Sequence, residues 1–106
     1  MSKLKYEVLL PKSSAQLEGM FSGLLKTKSK HLIIKIIDKY ITPDTLKEIL
    51  DKYQNHIENY KKNKSIVILY DNYDNIPDFM PVAPTEEEAL DIIEFEEIER
   101  DLWLNE

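Results

Sequence analysis

Polar and apolar positions alternate at the start of the chain, with Leu4, Tyr6, Val8 and Leu10 set against Lys3, Lys5, Glu7 and Leu9. A period of two predicts a strand with one buried face over residues 3–10, stopped by Pro11. The period then changes. Leu17, Met20, Phe21, Leu24 and Leu25 recur at i, i+3, i+4, i+7 and i+8, the stripe of a helix buried on one side. Ser13 and Gln16 form a capping box at its start, and lysines close it between Lys26 and Lys30. Gly19 and Gly23 fall off the stripe, where a helix tolerates glycine at some cost. Residues 31–37 (His-Leu-Ile-Ile-Lys-Ile-Ile) are nearly all apolar, as expected of a strand covered on both faces. A second helix is predicted from Thr42-Pro43-Asp44, which supply an N-cap, a proline at the first helical position and an early acid. Its stripe is Leu46, Ile49, Leu50, Tyr53, Ile57 and Tyr60. Residues 65–70 give a further buried strand. Residues 71–84 hold three prolines and predict a loop with a short edge strand near Met80 to Ala83.

The last predicted helix, residues 85–104, opens on Pro84-Thr85-Glu86-Glu87-Glu88, with Thr85 and Glu88 as a capping box and three Glu at the positive end of the dipole. Its apolar residues do not share one side. At about 100° per residue Ala89, Leu90, Ile92 and Ile93 cluster together, while Phe95, Ile98 and Leu102 lie roughly opposite, and Trp103 and Leu104 return to the first side. One sheet face cannot bury both sets. Either the helix bends or breaks near residues 94–97 and packs its second part elsewhere, or Phe95, Ile98, Leu102 and Trp103 form a docking face for a partner or a second copy.

The element order is β-α-β-α-β-(β)-α, which predicts a single α/β domain over residues 1–106, with a small, mainly parallel sheet flanked by helices. Composition agrees: 42% of residues are hydrophobic and 32% charged, sufficient for a packed core. The net charge of −6 argues against nucleic acid or an anionic membrane as partner. The average hides an asymmetry. Residues 1–64 carry 13 Lys against 7 acids, and residues 65–106 carry one Arg against 13 acids.

No apolar run approaches the ~20 residues of a membrane helix. The opening Met1-Ser2-Lys3-Leu4-Lys5 lacks the apolar block of a signal peptide, so a cytoplasmic chain is expected. The absence of cysteine excludes disulfides, thiolate metal sites and cysteine nucleophiles. His31 and His56 are the two histidines, too few for a multi-histidine metal centre, and each reads as structural or exposed. Both glycines fall inside a predicted helix, which excludes a glycine-rich phosphate loop. Neither Ser22 nor Ser65 has the setting of a hydrolase elbow. Asp71, Asp74 and Asp78 lack the spacing, turn glycine and terminal Glu of a calcium loop. No catalytic residue, cofactor, metal or small-molecule ligand is therefore expected. In open α/β sheets ligands and partners meet the C-terminal strand ends. That edge holds Asp38 to Thr45, with hydroxyls at Thr42 and Thr45. Thr42 reads first as an N-cap, and a phosphate there would be favoured by the dipole, making Thr42 and Thr45 candidates for a regulatory hydroxyl.

The strand ending in Asp38, the helix opened by Thr42, the strand of residues 65–70, and Pro84-Thr85-Glu86-Glu87-Glu88-Ala89-Leu90 together resemble a STAS domain, the sulfate-transporter and anti-sigma-factor-antagonist module. The resemblance covers roughly residues 5–93. Where that family has a phosphorylated serine in an Asp-Ser-Ser-Gly-like turn, this chain has Tyr40-Ile41-Thr42-Pro43-Asp44-Thr45, and the helix that usually follows the next strand is replaced by residues 72–79. Thr42 or Thr45 would stand in for that serine by position only. The run Asp91 to Leu102 resembles the end of small bacterial STAS-like proteins, some of which carry the label ribonuclease Z. That label implies a dinuclear zinc site with a His-x-His-x-Asp-His motif, and two isolated histidines cannot supply it. The expectation is a non-enzymatic protein-interaction or regulatory module. Its partner is another protein or a second copy, through Phe95, Ile98, Leu102 and Trp103. The alternatives are a homo-oligomeric structural protein or an enzyme without a recognisable motif.

Overall fold

The computed structural model describes residues 5–23, 30–72 and 76–104. Leu4, Leu24, Leu25 and Asp74 lie outside the described residues, as do the side chains of Trp103 and Leu104. Among the described residues the chain runs β1 (Tyr6–Leu9), α1 (Ser14–Ser22), β2 (His31–Lys35), α2 (Pro43–Lys52), α3 (Gln54–Lys61), β3 (Ile66–Leu69), β4 (Val82–Ala83) and α4 (Glu86–Leu104). The strands form one sheet in the order β1-β2-β3-β4, parallel at every pairing. The expected α/β class with a small parallel sheet is thus the observed one.

This order decides where the layers go. Right-handed crossovers that always step in the same direction across a sheet land on the same face. Helices α1, α2 and α3 and the β3–β4 connection accordingly share one core. Leu17, Phe21, Leu46, Leu50, Ile57 and Met80 pack there on Leu32, Ile34, Ile66 and Ile68. The alternate strand residues Ile33, Val67, Leu69 and Ala83 face the other way, against Ala89 and Ile93 of α4. Buried on both faces, β2 and β3 read as continuous apolar runs.

A single helix about 10 Å wide cannot span four strands spaced ~4.8 Å apart. Helix α4 packs over β2, β3 and β4, and among the described residues the first edge strand is covered only in part. Tyr6 is half-buried, but Val8, paired with Ile33 and so on the α4 face, is 40% exposed, as is Leu10. The alternation over residues 3–10 therefore marks a strand without marking a fully buried face.

Helix starts follow the expected caps. The Gln16 N–H donates to Ser13 Oγ at 3.1 Å, while the Gln16 side chain reaches back to the Lys12 N–H at 2.8 Å. Thr42 Oγ1 accepts from Thr45 N at 3.3 Å, and Thr85 Oγ1 from Glu88 N at 3.2 Å. Two boundaries differ from expectation. Helix α1 stops at Ser22, with Gly23 as its cap donating to Gly19 O at 3.1 Å, so this glycine closes the helix instead of sitting inside it. The long second helix divides at Tyr53, whose ψ opens to 19°. There the Tyr53 ring meets Phe21 at 5.9 Å and its hydroxyl donates to Glu18 at 3.2 Å. The apolar stripe continues through the division, with Leu46, Ile49, Leu50, Ile57 and Tyr60 all buried. Among the described residues no helix is long and apolar enough to cross a membrane.

Candidate functional site

Helix α4 is one uninterrupted segment of 19 residues, so a single helix carries both apolar sets. At 1.5 Å per residue it is about 28 Å long. The five residues of β2 extend only about 16 Å. The helix starts after the C-terminal strand ends and runs antiparallel to the strands, so its last turns overhang the N-terminal edge of the sheet. The row facing the sheet is Ala89 and Ile93, then Glu96, Glu97 and Arg100. Phe95, Ile98 and Leu102 lie about 180° around the helix from that row. They are 62%, 54% and 62% exposed. This is the sequence-predicted docking set, brought together on one outward stripe; the Trp103 side chain lies outside the described residues.

Under the overhang is a polar cluster. Register places His31 and Ser65 on the α4 face at the strand starts, since Leu32 pairs with Ile66, and both are buried. The Ser65 N–H donates to His31 Nδ1 at 2.9 Å. His31 Nε2 therefore carries the ring proton and meets Glu97 Oε1 at 3.0 Å. Ser65 Oγ donates to Glu96 Oε1 and accepts from Arg100 Nη2, each at 2.5 Å. The Arg100 guanidinium also lies 3.7 Å from Glu96 and 3.6 Å from Glu97. Burial holds the His31 imidazole below its ordinary range; the Lys64 and Arg100 charges act in the same direction, and Glu97 opposes them.

Serine, histidine and glutamate side by side invite comparison with a hydrolytic triad, but the geometry lacks its essential contact. An activated nucleophile needs its hydroxyl on the base. Here the imidazole Nδ1 takes a backbone N–H, the hydroxyl is engaged by Glu96 and Arg100, and Ser65 is wholly buried. The cluster is a strut between α4 and the sheet. Residue-by-residue reading missed it. The signal lay in the row Ala89, Ile93, Glu96, Arg100, which continues the buried side of the helix into charged residues, opposite two strand starts that begin with a polar residue.

At the opposite edge, where the parallel strands end, an open cavity of about 350 Å³ is lined by Lys35, Leu69, Tyr70, Asp71, Thr85 and Glu86. Tyr70 donates its hydroxyl to Asp38. Burial, followed by the hydrogen bond to Asp38 and the charges of Asp38 and Asp71, pushes this phenol up to about 12, so it stays a proton donor. Glu86 accepts from the Tyr6 hydroxyl at 3.1 Å. Carboxylates already fill the positive end of α4, which makes the cavity a poor anion site. Thr42 and Thr45 sit at the start of α2 and bind each other, the Thr42 hydroxyl donating to Thr45 Oγ1 at 3.0 Å. Thr42 is exposed and Thr45 half-buried.

The remaining sequence candidates do not gather into a centre. His56 is exposed and stacks edge-on with Tyr53 at 5.4 Å, while Asp71 and Asp78 are exposed. Among the described residues no group of three or more His, Asp or Glu is placed to hold a metal ion. The chain matches no protein-family model and no curated protein, so the case for its function rests on the geometry of α4 and the sheet it covers.

Proposed function

We propose that the chain is a non-enzymatic protein-interaction module of STAS-like type, whose contact face is the outward stripe of α4 formed by Phe95, Ile98 and Leu102; the side chain of Trp103, the fourth residue of the expected docking set, lies outside the described residues. The observation that carries this reading is an inversion of polarity. In its overhanging half α4 turns Glu96, Glu97 and Arg100 toward the sheet and Phe95, Ile98 and Leu102 toward solvent. The domain itself leaves these three side chains exposed, and each large apolar side chain is worth ~1.5–3 kcal/mol when buried against a partner. Three such residues, together worth ~4.5–9 kcal/mol, are of the same size as the ~4–15 kcal/mol entropic cost of association, so charge or added area decides how tight the contact is.

Phosphoryl control at Thr42 or Thr45 belongs to the same proposal. A phosphate on exposed Thr42 would meet the positive end of α2, though that hydroxyl already serves as the cap. Affinity capture from native lysate, with wild type beside Phe95→Gln/Ile98→Gln/Leu102→Gln, tests the reading. Proteins retained by wild type should be missing with the triple variant, and an unchanged partner list would refute the stripe as the contact face.

A further inference from the structure

Resting on that reading, we infer that the occupant of the α4 stripe is a basic amphipathic helix and not a second copy of α4. Phe95, Ile98 and Leu102 stand at i, i+3 and i+7, the spacing with which one helix presents a seam to another. Asp91 continues that seam toward the helix start, and Glu94, Glu99 and Asp101 border it; all four are exposed and acidic. The one basic residue of the helix, Arg100, is turned toward the sheet, with its guanidinium on Ser65. A second α4 laid along the seam would oppose acid to acid whether it ran parallel or antiparallel.

Of the chain's thirteen lysines, three are already engaged within the domain. Lys47 is paired with Asp51 at 3.3 Å, Lys52 with Glu18 at 2.8 Å, and Lys61 donates to the Phe79 carbonyl at 2.6 Å. The chemistry that fits is a helix with Leu, Ile or Met along its seam and Lys or Arg on both borders. Charge sets the selection, and the apolar residues supply the contact.

Three synthetic peptides of about 18 residues, long enough for several helical turns, provide the test. One has a leucine seam bordered by lysine, the second the same seam bordered by glutamate, and the third the composition of the first in scrambled order. Each is titrated by fluorescence anisotropy into the full chain, into Phe95→Gln/Ile98→Gln/Leu102→Gln, and into Glu94→Gln/Glu99→Gln/Asp101→Asn, at low and high salt. The lysine-bordered peptide should bind wild type at least about tenfold more tightly than either other peptide. That advantage should shrink at high salt and in the charge variant, and binding should be lost in the seam variant. Equal binding of the lysine- and glutamate-bordered peptides, lost in the seam variant, would overturn the basic partner while leaving the contact face standing. Equal binding of the scrambled peptide would reduce the effect to bulk charge and overturn the inference. Binding of no peptide, with concentration-dependent self-association abolished in the seam variant, would make a second copy the occupant. Binding of no peptide by a monomeric chain also overturns the inference, and the lysate comparison then decides separately whether the contact face survives.

Discussion

The two halves of α4 follow opposite rules. Over the sheet, from Glu86 to Ile93, the helix is conventionally amphipathic: Ala89 and Ile93 are fully buried against Ile33 and Val67, and Glu87, Glu88 and Asp91 face solvent. Beyond Glu94 the inward row is charged and the outward row apolar. The difference follows from length. Short strands end before the helix does, so the last turns have no apolar sheet surface to cover. Long side chains reach back to the strand starts instead, as Arg100 does to Ser65. The overhang is anchored by hydrogen bonds and ion pairs, which leaves its other face available for contact.

The sharpest contrast should come from truncating each half. Ile93→Ala, which empties a fully buried position, should cost about 2–5 kcal/mol in chemical denaturation. A loss below about 1 kcal/mol would mean that α4 is only loosely seated. In the other half Arg100→Met keeps the stem and removes the donor from Ser65 Oγ, for an expected loss of about 1–3 kcal/mol. A neutral or stabilising result would show that the strut is dispensable, as buried ion pairs sometimes are.

The strut also makes stability depend on pH. The folded-state value of His31 lies below its unfolded value, so the unfolded chain takes up the proton first as pH falls. The stabilisation is complete above about 6.5 and is lost as pH falls from there toward the depressed folded value. The facing groups are Glu97 and Arg100 on α4, Lys64, and the Ser65 N–H on the sheet. Protonation would place a hydrogen on Nδ1 against that N–H. Denaturation midpoints at pH 7.5 and 5.5, compared between wild type and His31→Gln, should show a larger acid loss in wild type, and equal losses would remove His31 as the cause.

Much of the fold was legible because its signals are local. Thr42-Pro43 and Pro84-Thr85 mark helix starts chemically, and a run such as Ile66 to Leu69 leaves a buried strand little alternative. What was not legible depends on distance. Whether Val8 is covered depends on how far a helix eighty residues later reaches across the sheet. Whether His31 is a surface residue or part of a buried strut depends on the register of β2 with β3 and on the length of α4. The α1 boundary at Gly23 and the division at Tyr53 likewise follow from cap geometry and from packing against Phe21 and Glu18, which no periodicity encodes. The outward set was legible in part, since its angular conflict with Ala89 and Ile93 is visible in the sequence, but the conflict alone left open a bend or break of the helix.

The polarity inversion in α4 requires that Phe95, Ile98 and Leu102 be dispensable to the chain's own stability. The direct measurement is the denaturation midpoint of Phe95→Gln/Ile98→Gln/Leu102→Gln against wild type, with glutamine chosen because it keeps helix propensity high. Exposed positions predict a change within about 0.5 kcal/mol per substitution. A loss of several kcal/mol would place these residues in the core and contradict the inversion on which the proposed function rests.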